Sequence, residues 1–164
     1  MSALIAEIKR RLPEATRGRQ CKAGGCKLNM PSLSPKAMIN VDAATREKEL
    51  CISGKRCDYL ILAASNRTHT LLPVEIKGQV GAGSDAKEIL KQLQGGIDAF
   101  EKLCRKEQWR DNIQHCYPVL VANRHQRVSR RKKGSVLFKG KSCYIQRRRC
   151  GGSIALDKCG RLRP

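Results

Sequence analysis

The residues from Cys57 to Lys77 read CDYLILAASNRTHTLLPVEIK and contain two runs with the composition of β-strands. The first run extends from Cys57 to Ala64 and the second from Thr70 to Lys77. Ser-Asn-Arg-Thr at residues 65–68, which lies between them, is typical of a turn. We therefore predict that a β-hairpin lies at the centre of the fold.

The register of this hairpin decides which of its polar side chains meet. If Asn66 and Arg67 form a two-residue turn, Asp58 lies directly opposite Glu75 on the neighbouring strand. Alternate residues of a strand share a face, so Glu75 and Lys77 point to the same side. The turn is an assumption, because a shift of one residue would move Asp58 to the other face. With this register, the hairpin brings two carboxylates and one ammonium together.

Asp58, Glu75 and Lys77 have the chemistry of a metal-dependent hydrolase. Opposed residues have Cβ atoms about 5 Å apart, so the two carboxylates repel each other unless a cation lies between them. Mg²⁺ prefers oxygen ligands and often takes one or two protein carboxylates, with phosphate oxygens completing its shell. We predict Mg²⁺, or Mn²⁺, bound by Asp58 and Glu75, with Lys77 orienting the attacking water or stabilising charge on a phosphate.

The hydrophobic patterns around the hairpin predict one α/β domain. In chain order they indicate a short helix over residues 2–12, an irregular loop over 17–35, a segment over 43–50 that fits either a helix or a strand, a long helix over 85–106, a buried strand over 116–122 and a further strand over 142–146. This order predicts a mixed central β-sheet flanked by helices. A chain of 164 residues suits one domain, with a core over about 1–122 and a basic C-terminal β/loop extension over 123–164.

The charge of the chain predicts a polyanionic partner. Lys and Arg number 34 against 14 Asp and Glu, which gives a net charge of +20. Two dense clusters lie in the extension, and we predict that they occupy opposite ends of one hairpin and contact a nucleic-acid backbone. The clusters are Arg130, Arg131, Lys132 and Lys133, and Arg147, Arg148 and Arg149. The competing interpretation is that such charge runs are a solvated surface.

Two motifs resemble a known nuclease family. RCDYLI at residues 56–61 and PVEIKG at residues 73–78 resemble the split Asp and Glu-X-Lys signature of the PD-(D/E)XK, or restriction-endonuclease-like, nucleases. The resemblance covers about residues 1–122 and implies a core of helix, antiparallel strands, helix and strand. It also implies that Asp58 and Glu75 bind divalent metal, that Lys77 assists the attacking water, and that DNA is favoured over RNA. An endonuclease is the expected class, and the sequence itself does not choose between endonuclease and exonuclease.

The long helix carries a further point of resemblance. KQLQ at residues 91–94 is similar to the glutamine-bearing helix of RecB-like nucleases, which implies that Gln92 lies beside the metal site. Some relatives carry another acidic residue on the first helix. Glu7, Glu47 and Glu49 are candidates for that position, and the sequence does not choose among them.

The nine cysteines suggest a second interpretation. Two groups have spacings that could hold a structural Zn²⁺, although small buried free cysteines are also ordinary core residues. The groups are Cys21, Cys26, Cys51 and Cys57, and Cys143, Cys150 and Cys159 with His125. Cys104 and Cys116 fit helical and strand patterns as packing residues. The alternative function is a non-catalytic basic nucleic-acid-binding protein, either zinc-stabilised or ribosome-associated, that binds through its basic tail.

The first residues and the apolar runs of the sequence indicate the cellular compartment of the protein. The first residues lack the pattern of a signal peptide, and no apolar run approaches the roughly 20 residues of a membrane span. We therefore expect a cytoplasmic protein with mostly reduced thiols and no membrane partner. The sequence does not decide whether the protein forms a homodimer. Small nucleases of this type often pair to cut two strands, but the sequence shows no clear interface.

Overall fold

The computed structural model describes residues 2–18, 20–30, 33, 36–50, 54–65, 68–78, 84–109, 112–123 and 134–163. The elements are α1 (Ala3–Arg11), β1 (Cys21–Ala23), β2 (Cys26–Leu28), β3 (Lys36–Asn40), α2 (Val41–Arg46), β4 (Tyr59–Ser65), β5 (Thr68–Lys77), α3 (Ser84–Lys106), β6 (Ile113–Cys116), β7 (Val119–Ala122), β8 (Ser135–Phe138), β9 (Lys141–Tyr144) and β10 (Gln146–Arg149). Among the described residues, no helix is both long and apolar enough to cross a membrane.

The centre of the molecule is a mixed β-sheet with strand order β10-β7-β5-β4-β3. Strand β4 runs antiparallel to both β3 and β5, whereas β6 and β7 run parallel to β5, and β10 runs parallel to β7. The predicted class, a mixed sheet flanked by helices, is confirmed.

The central hairpin has the register that the sequence predicts. Tyr59 pairs with Val74, and Ser65 pairs with Thr68 at the turn. The spacing leaves two residues to connect β4 and β5, as assumed, although Asn66 and Arg67 themselves lie outside the described residues.

Each face of the sheet has its own buried core. The helices cover one face, which we call the helix face, where Ile8 of α1 and Phe100 of α3 share a core with Leu60 of β4. The opposite face is covered by the β1–β2 hairpin and the C-terminal residues, represented by Leu28 and Ile154. The alternation of side chains along β4 and β5 therefore decides which residues lie beneath α3.

The prediction of an irregular loop over residues 17–35 is wrong, because β1 and β2 form a short antiparallel hairpin there. Gly24 and Gly25 connect the two strands with φ angles of 53° and 75°. Two consecutive residues with positive φ form the turn that suits the twist of a hairpin, and glycine adopts it without steric cost. Cys21 and Cys26 then point inward and are buried.

Three other segments can be compared with the structure. Of the segment left open between helix and strand, residues 43–46 belong to α2, which Asn40 caps by accepting a hydrogen bond from the Ala43 N–H at 2.9 Å. The single strand predicted over 116–122 is split into β6 and β7 at Pro118, which has no N–H to donate to β5. The strand predicted over 142–146 corresponds to parts of β9 and β10.

The C-terminal residues are integrated into the sheet. The hairpin is formed by β8 and β9, whereas Arg147 to Arg149 lie on β10, at the edge of the central sheet. The hypothesis that both basic clusters occupy the ends of one hairpin is therefore wrong for Arg147, Arg148 and Arg149. The other cluster, residues 130–133, lies outside the described residues.

Candidate active site

The end of the central hairpin brings together the two predicted carboxylates. Asp58 immediately precedes β4, and because Tyr59 pairs with Val74, it falls opposite Glu75 on the helix face. One carboxylate oxygen of Asp58, Oδ2, accepts a hydrogen bond from the Ile76 N–H at 2.7 Å. This bond ties the segment before β4 to β5, so the side chain of Asp58 is fixed beside the strand that carries Glu75.

Glu75 is almost completely buried, with 1% of its surface exposed. Its Oε1 atom lies 2.7 Å from Nζ of Lys77, whose side chain is about one-third exposed. A buried carboxylate is unfavourable unless its charge is compensated, so this ion pair is the first condition for placing Glu75 here. The other oxygen, Oε2, is buried and has no hydrogen-bond partner among the described residues.

The two acids share an environment that opposes their ionisation. Burial raises the pKa of Glu75 to about 7, with a contribution from the charge of Asp58, and the Lys77 ammonium offsets only part of this rise. Burial also raises the pKa of Asp58, against the Ile76 hydrogen bond and the Lys77 charge. Burial by itself lowers the pKa of Lys77. The hydrogen bond to Glu75 and the charges of the nearby carboxylates have a larger, opposite effect, so the pKa of Lys77 is raised overall. The site therefore favours an additional cation.

Gln92 lies on the stripe of α3 that faces this site. Helix positions four apart are neighbours, so Glu88, Gln92 and Gly96 form one row. Glu88 bonds to Lys55 and its charge acts on Lys77, while Gly96 contacts Cys57, the residue before Asp58. Gln92 lies one helical turn from Glu88 and one from Gly96, on the same side of α3. Its Oε1 atom is buried and, among the described residues, has no hydrogen-bond partner.

The glycines of α3 allow the segment before Asp58 to approach the helix. A Cβ atom on Gly95 would clash with the backbone carbonyl of Lys55, and one on Gly96 would clash with the Cys57 sulfur. This role of the two glycines was not predicted from the sequence. A Gly-Gly pair inside a strongly periodic helix is itself a signal of close packing, because it costs helix stability and needs a compensating reason.

We expect Gly95→Ala to destabilise the protein, although alanine is the better helix former. The added methyl group must displace backbone, and overpacking of this kind costs about 1–3 kcal/mol. Urea denaturation would measure the loss. Gly78→Ala is the control, because no atom of the described residues lies within 4 Å of a Cβ built there. Equal stabilities of the two variants would show that the helix and the segment before Asp58 do not pack closely.

Gln94, the second glutamine of KQLQ, and two of the candidate acids have partners away from this site. Gln94 accepts the Leu137 N–H at 2.7 Å and donates to the Leu137 carbonyl, so it holds β8 against α3. Glu7 pairs with Arg10 on the surface of α1. Glu49 accepts the backbone N–H groups of residues 14 and 15. These contacts favour Gln92 over Gln94 as the residue beside the site, and they give Glu7 and Glu49 structural roles. The side chain of Glu47 is exposed, and the contacts of the described residues assign it no role.

The cysteines are distributed between a disulfide and buried thiols. Cys26 and Cys150, one from each suggested zinc group, form a disulfide with each other. Cys21, Cys57, Cys104 and Cys116 are free and buried. In the part of the chain that the structure describes, no group of three or more His, Cys, Asp or Glu side chains is arranged to hold a metal ion. Cys51 and His125 lie outside that part.

A cation at this site would therefore rely on few protein ligands. Asp58 and Glu75 offer carboxylate oxygens, and Gln92 offers an amide oxygen. The two unpartnered buried oxygens, on Glu75 and Gln92, are what a hard oxygen-seeking cation would use, and Mg²⁺ is often held by one or two carboxylates with water and phosphate. The residues present fit Mg²⁺ or Mn²⁺ better than a thiolate-bound metal.

The chain matches no known protein-family model, no curated protein and no solved structure. The chemistry of the site therefore rests on its own geometry.

Proposed function

We propose that the protein is a metal-dependent nuclease of the PD-(D/E)XK type that hydrolyses phosphodiester bonds of nucleic acid, with DNA as the favoured substrate. One observation carries this proposal: Glu75 is buried with an unpartnered oxygen beside Lys77 and Asp58. An ordinary ion pair on a strand surface would leave the carboxylate in water. The burial of a carboxylate, which costs free energy, is typical of functional sites.

Each residue of the site has a distinct role in this proposal. Asp58 and Glu75 would hold the divalent cation, and the Gln92 amide oxygen would complete the protein ligands or orient a water. When bound, the cation polarises the scissile phosphate and lowers the pKa of a water molecule. Lys77 keeps its proton, compensates the Glu75 charge and places a positive charge beside the reacting phosphate.

Incubation of the purified protein with labelled DNA and RNA tests the proposal. Single-stranded, double-stranded and branched DNA and single-stranded RNA would be offered with Mg²⁺, Mn²⁺ or EDTA. We expect cutting of at least one substrate in Mg²⁺ or Mn²⁺ and none in EDTA. The Asp58→Asn variant, purified in parallel, guards against a contaminating nuclease and should not cut.

A second function is favoured by the net charge of +20, which would bind nucleic acid without any reaction. A non-catalytic binding protein predicts tight binding that is indifferent to metal, to Asp58 and to Lys77. Binding without cutting on every substrate would therefore reject the nuclease and support this alternative.

A further inference from the structure

The sheet register aligns two arginines with the candidate active site. Glu75 of β5 pairs with Leu120 of β7, and Leu120 pairs in turn with Arg147 of β10. Residues that pair across neighbouring strands project to the same face of a sheet. Arg147 therefore lies on the helix face, in one cross-strand row with Glu75 and, through the hairpin register, with Asp58.

A second row runs parallel to the first. Lys77 pairs with Ala122, and Ala122 pairs with Arg149. Leu120 and Ala122, which separate the charged residues, are buried in the core of the helix face. The two rows thus place Lys77 on one side of an apolar strip and both arginines on the other, at the exposed edge of the sheet.

Arg148, between them, has a different environment. It pairs with Val121, which belongs to the core on the opposite face. Its guanidinium donates hydrogen bonds to the carbonyl oxygens of Arg163 and Arg147, at 3.1 and 3.0 Å. Strand alternation therefore divides the cluster: Arg147 and Arg149 lie on the side of the active site, whereas Arg148 is bound to the C-terminal residues.

Arg147 and Arg149 have the properties of anion-binding groups. Both are exposed on β10. In the described part of the chain, neither guanidinium forms an ion pair or a hydrogen bond with a side chain, unlike Arg10 and Arg11 of α1. Arginine presents several donors in a planar fork that matches phosphate oxygens. Two such groups on one edge strand can contact successive phosphates of one nucleic-acid strand.

The spacing relates these arginines to the phosphate that is cut. Neighbouring strands lie about 4.8 Å apart, so β10 lies about 10 Å from β5. The rise of about 3.4 Å per nucleotide is a lower limit on the spacing of adjacent phosphates, because the backbone also winds around the helix axis, so this distance spans at most about three nucleotides. We propose that Arg147 and Arg149, but not Arg148, bind backbone phosphates within about three nucleotides of the one held at Glu75 and Lys77. This placement rests on the nuclease function proposed above.

Three single substitutions test the proposal, each removing one positive charge from consecutive positions of one strand. Binding of a fluorescently labelled DNA oligonucleotide, single-stranded and duplex, would be measured in EDTA over a range of salt concentrations. We expect Arg147→Ala and Arg149→Ala each to weaken binding about 5-fold and to lower the salt dependence by about one phosphate contact. Arg148→Ala should change binding less than 2-fold and leave the salt dependence unchanged.

A second arm locates the contacts along the strand. Oligonucleotides would carry one uncharged methylphosphonate at successive positions from the cut site. The wild type should lose affinity when a replaced phosphate lies within about three nucleotides of the cut on one side, whereas Arg147→Ala or Arg149→Ala should be insensitive at the position that the missing arginine contacts. Equal effects of all three arginines, or none, would overturn the proposal even if the wild type cuts DNA. If Arg147 and Arg149 had selective effects on binding but no substrate were cut, the proposed nuclease function would be rejected, and with it the position of these contacts relative to a cut. Strand β10 would then only bind nucleic acid.

Discussion

Lys77→Met should reduce the rate of cleavage at saturating substrate by about 100-fold or more, because the only ammonium bonded to the buried Glu75 among the described residues is removed. Methionine keeps most of the length and volume of the side chain. Nucleic-acid binding in EDTA should be almost unchanged, since one charge out of a surplus of +20 is lost. Single-turnover cleavage and anisotropy binding would measure the two quantities separately.

Lys55→Met is the matched control for this substitution. It removes the same charge from the neighbouring segment, where the Lys55 ammonium bonds to the exposed side chain of Glu88. We expect its cleavage rate to stay within about 3-fold of the wild type, because exposed ion pairs contribute little. If both variants lost the same activity, Lys77 would act through general charge rather than through the site.

Glu75→Gln should abolish metal-dependent cleavage and, in the same protein without metal, raise the free energy of unfolding at pH 8. Activity falls because a metal-binding carboxylate becomes a neutral amide. Stability rises because the wild type must keep a buried carboxylate ionised at this pH, at a cost that the amide avoids. A substitution that removes a structural ion pair would have the opposite effect on stability.

The pH dependence follows from the raised pKa of Glu75. Its pKa is about 7 in the folded protein, against 4.5 as the ordinary value, so the folded state binds the proton more tightly. The resulting stabilisation is complete below pH 4.5 and is lost as the pH rises to about 7. The advantage of Glu75→Gln should therefore be small at pH 4.5 and reach about 3 kcal/mol at pH 8, because a tenfold change in proton affinity corresponds to about 1.4 kcal/mol.

Urea denaturation in EDTA at both pH values would measure this difference. Glu88→Gln is the control on α3, because its hydrogen bond to Lys55 lowers the pKa of Glu88, so the amide brings no gain at pH 8. A Glu75→Gln protein less stable than the wild type at both pH values would show that Glu75 serves as a structural partner of Lys77.

The hairpin and its register could be predicted because local constraints act together. Strands β4 and β5 are buried on both faces, so their apolar runs do not select a register, and the two-residue connection selects the one that pairs Tyr59 with Val74. Asp58 and Glu75 then meet as a direct consequence. Gln92 was indicated by the resemblance of KQLQ to a nuclease helix, and its row along α3 is determined once α3 packs on the sheet.

The remaining features depend on contacts between residues far apart in sequence. The Cys26–Cys150 disulfide joins residues separated by 124 positions, and no local pattern selects that pairing among nine cysteines. The position of β10 beside β7 is equally non-local, so Arg147 and Arg149 could not be assigned to a face from their run of charge. The β1–β2 hairpin had a local signal, the Gly24-Gly25 pair, which the abundance of turn residues around it obscured.

The central claim is that Asp58 and Glu75 hold a divalent cation against a phosphate of the substrate. Crystals of the Lys77→Met protein with uncut DNA and Mn²⁺, measured for the anomalous signal of manganese, test it most directly. We predict a manganese peak between the Asp58 and Glu75 carboxylates, in contact with a DNA phosphate oxygen. Bound DNA with no manganese at these carboxylates, at saturating Mn²⁺, would contradict the assignment of this site as a nuclease centre.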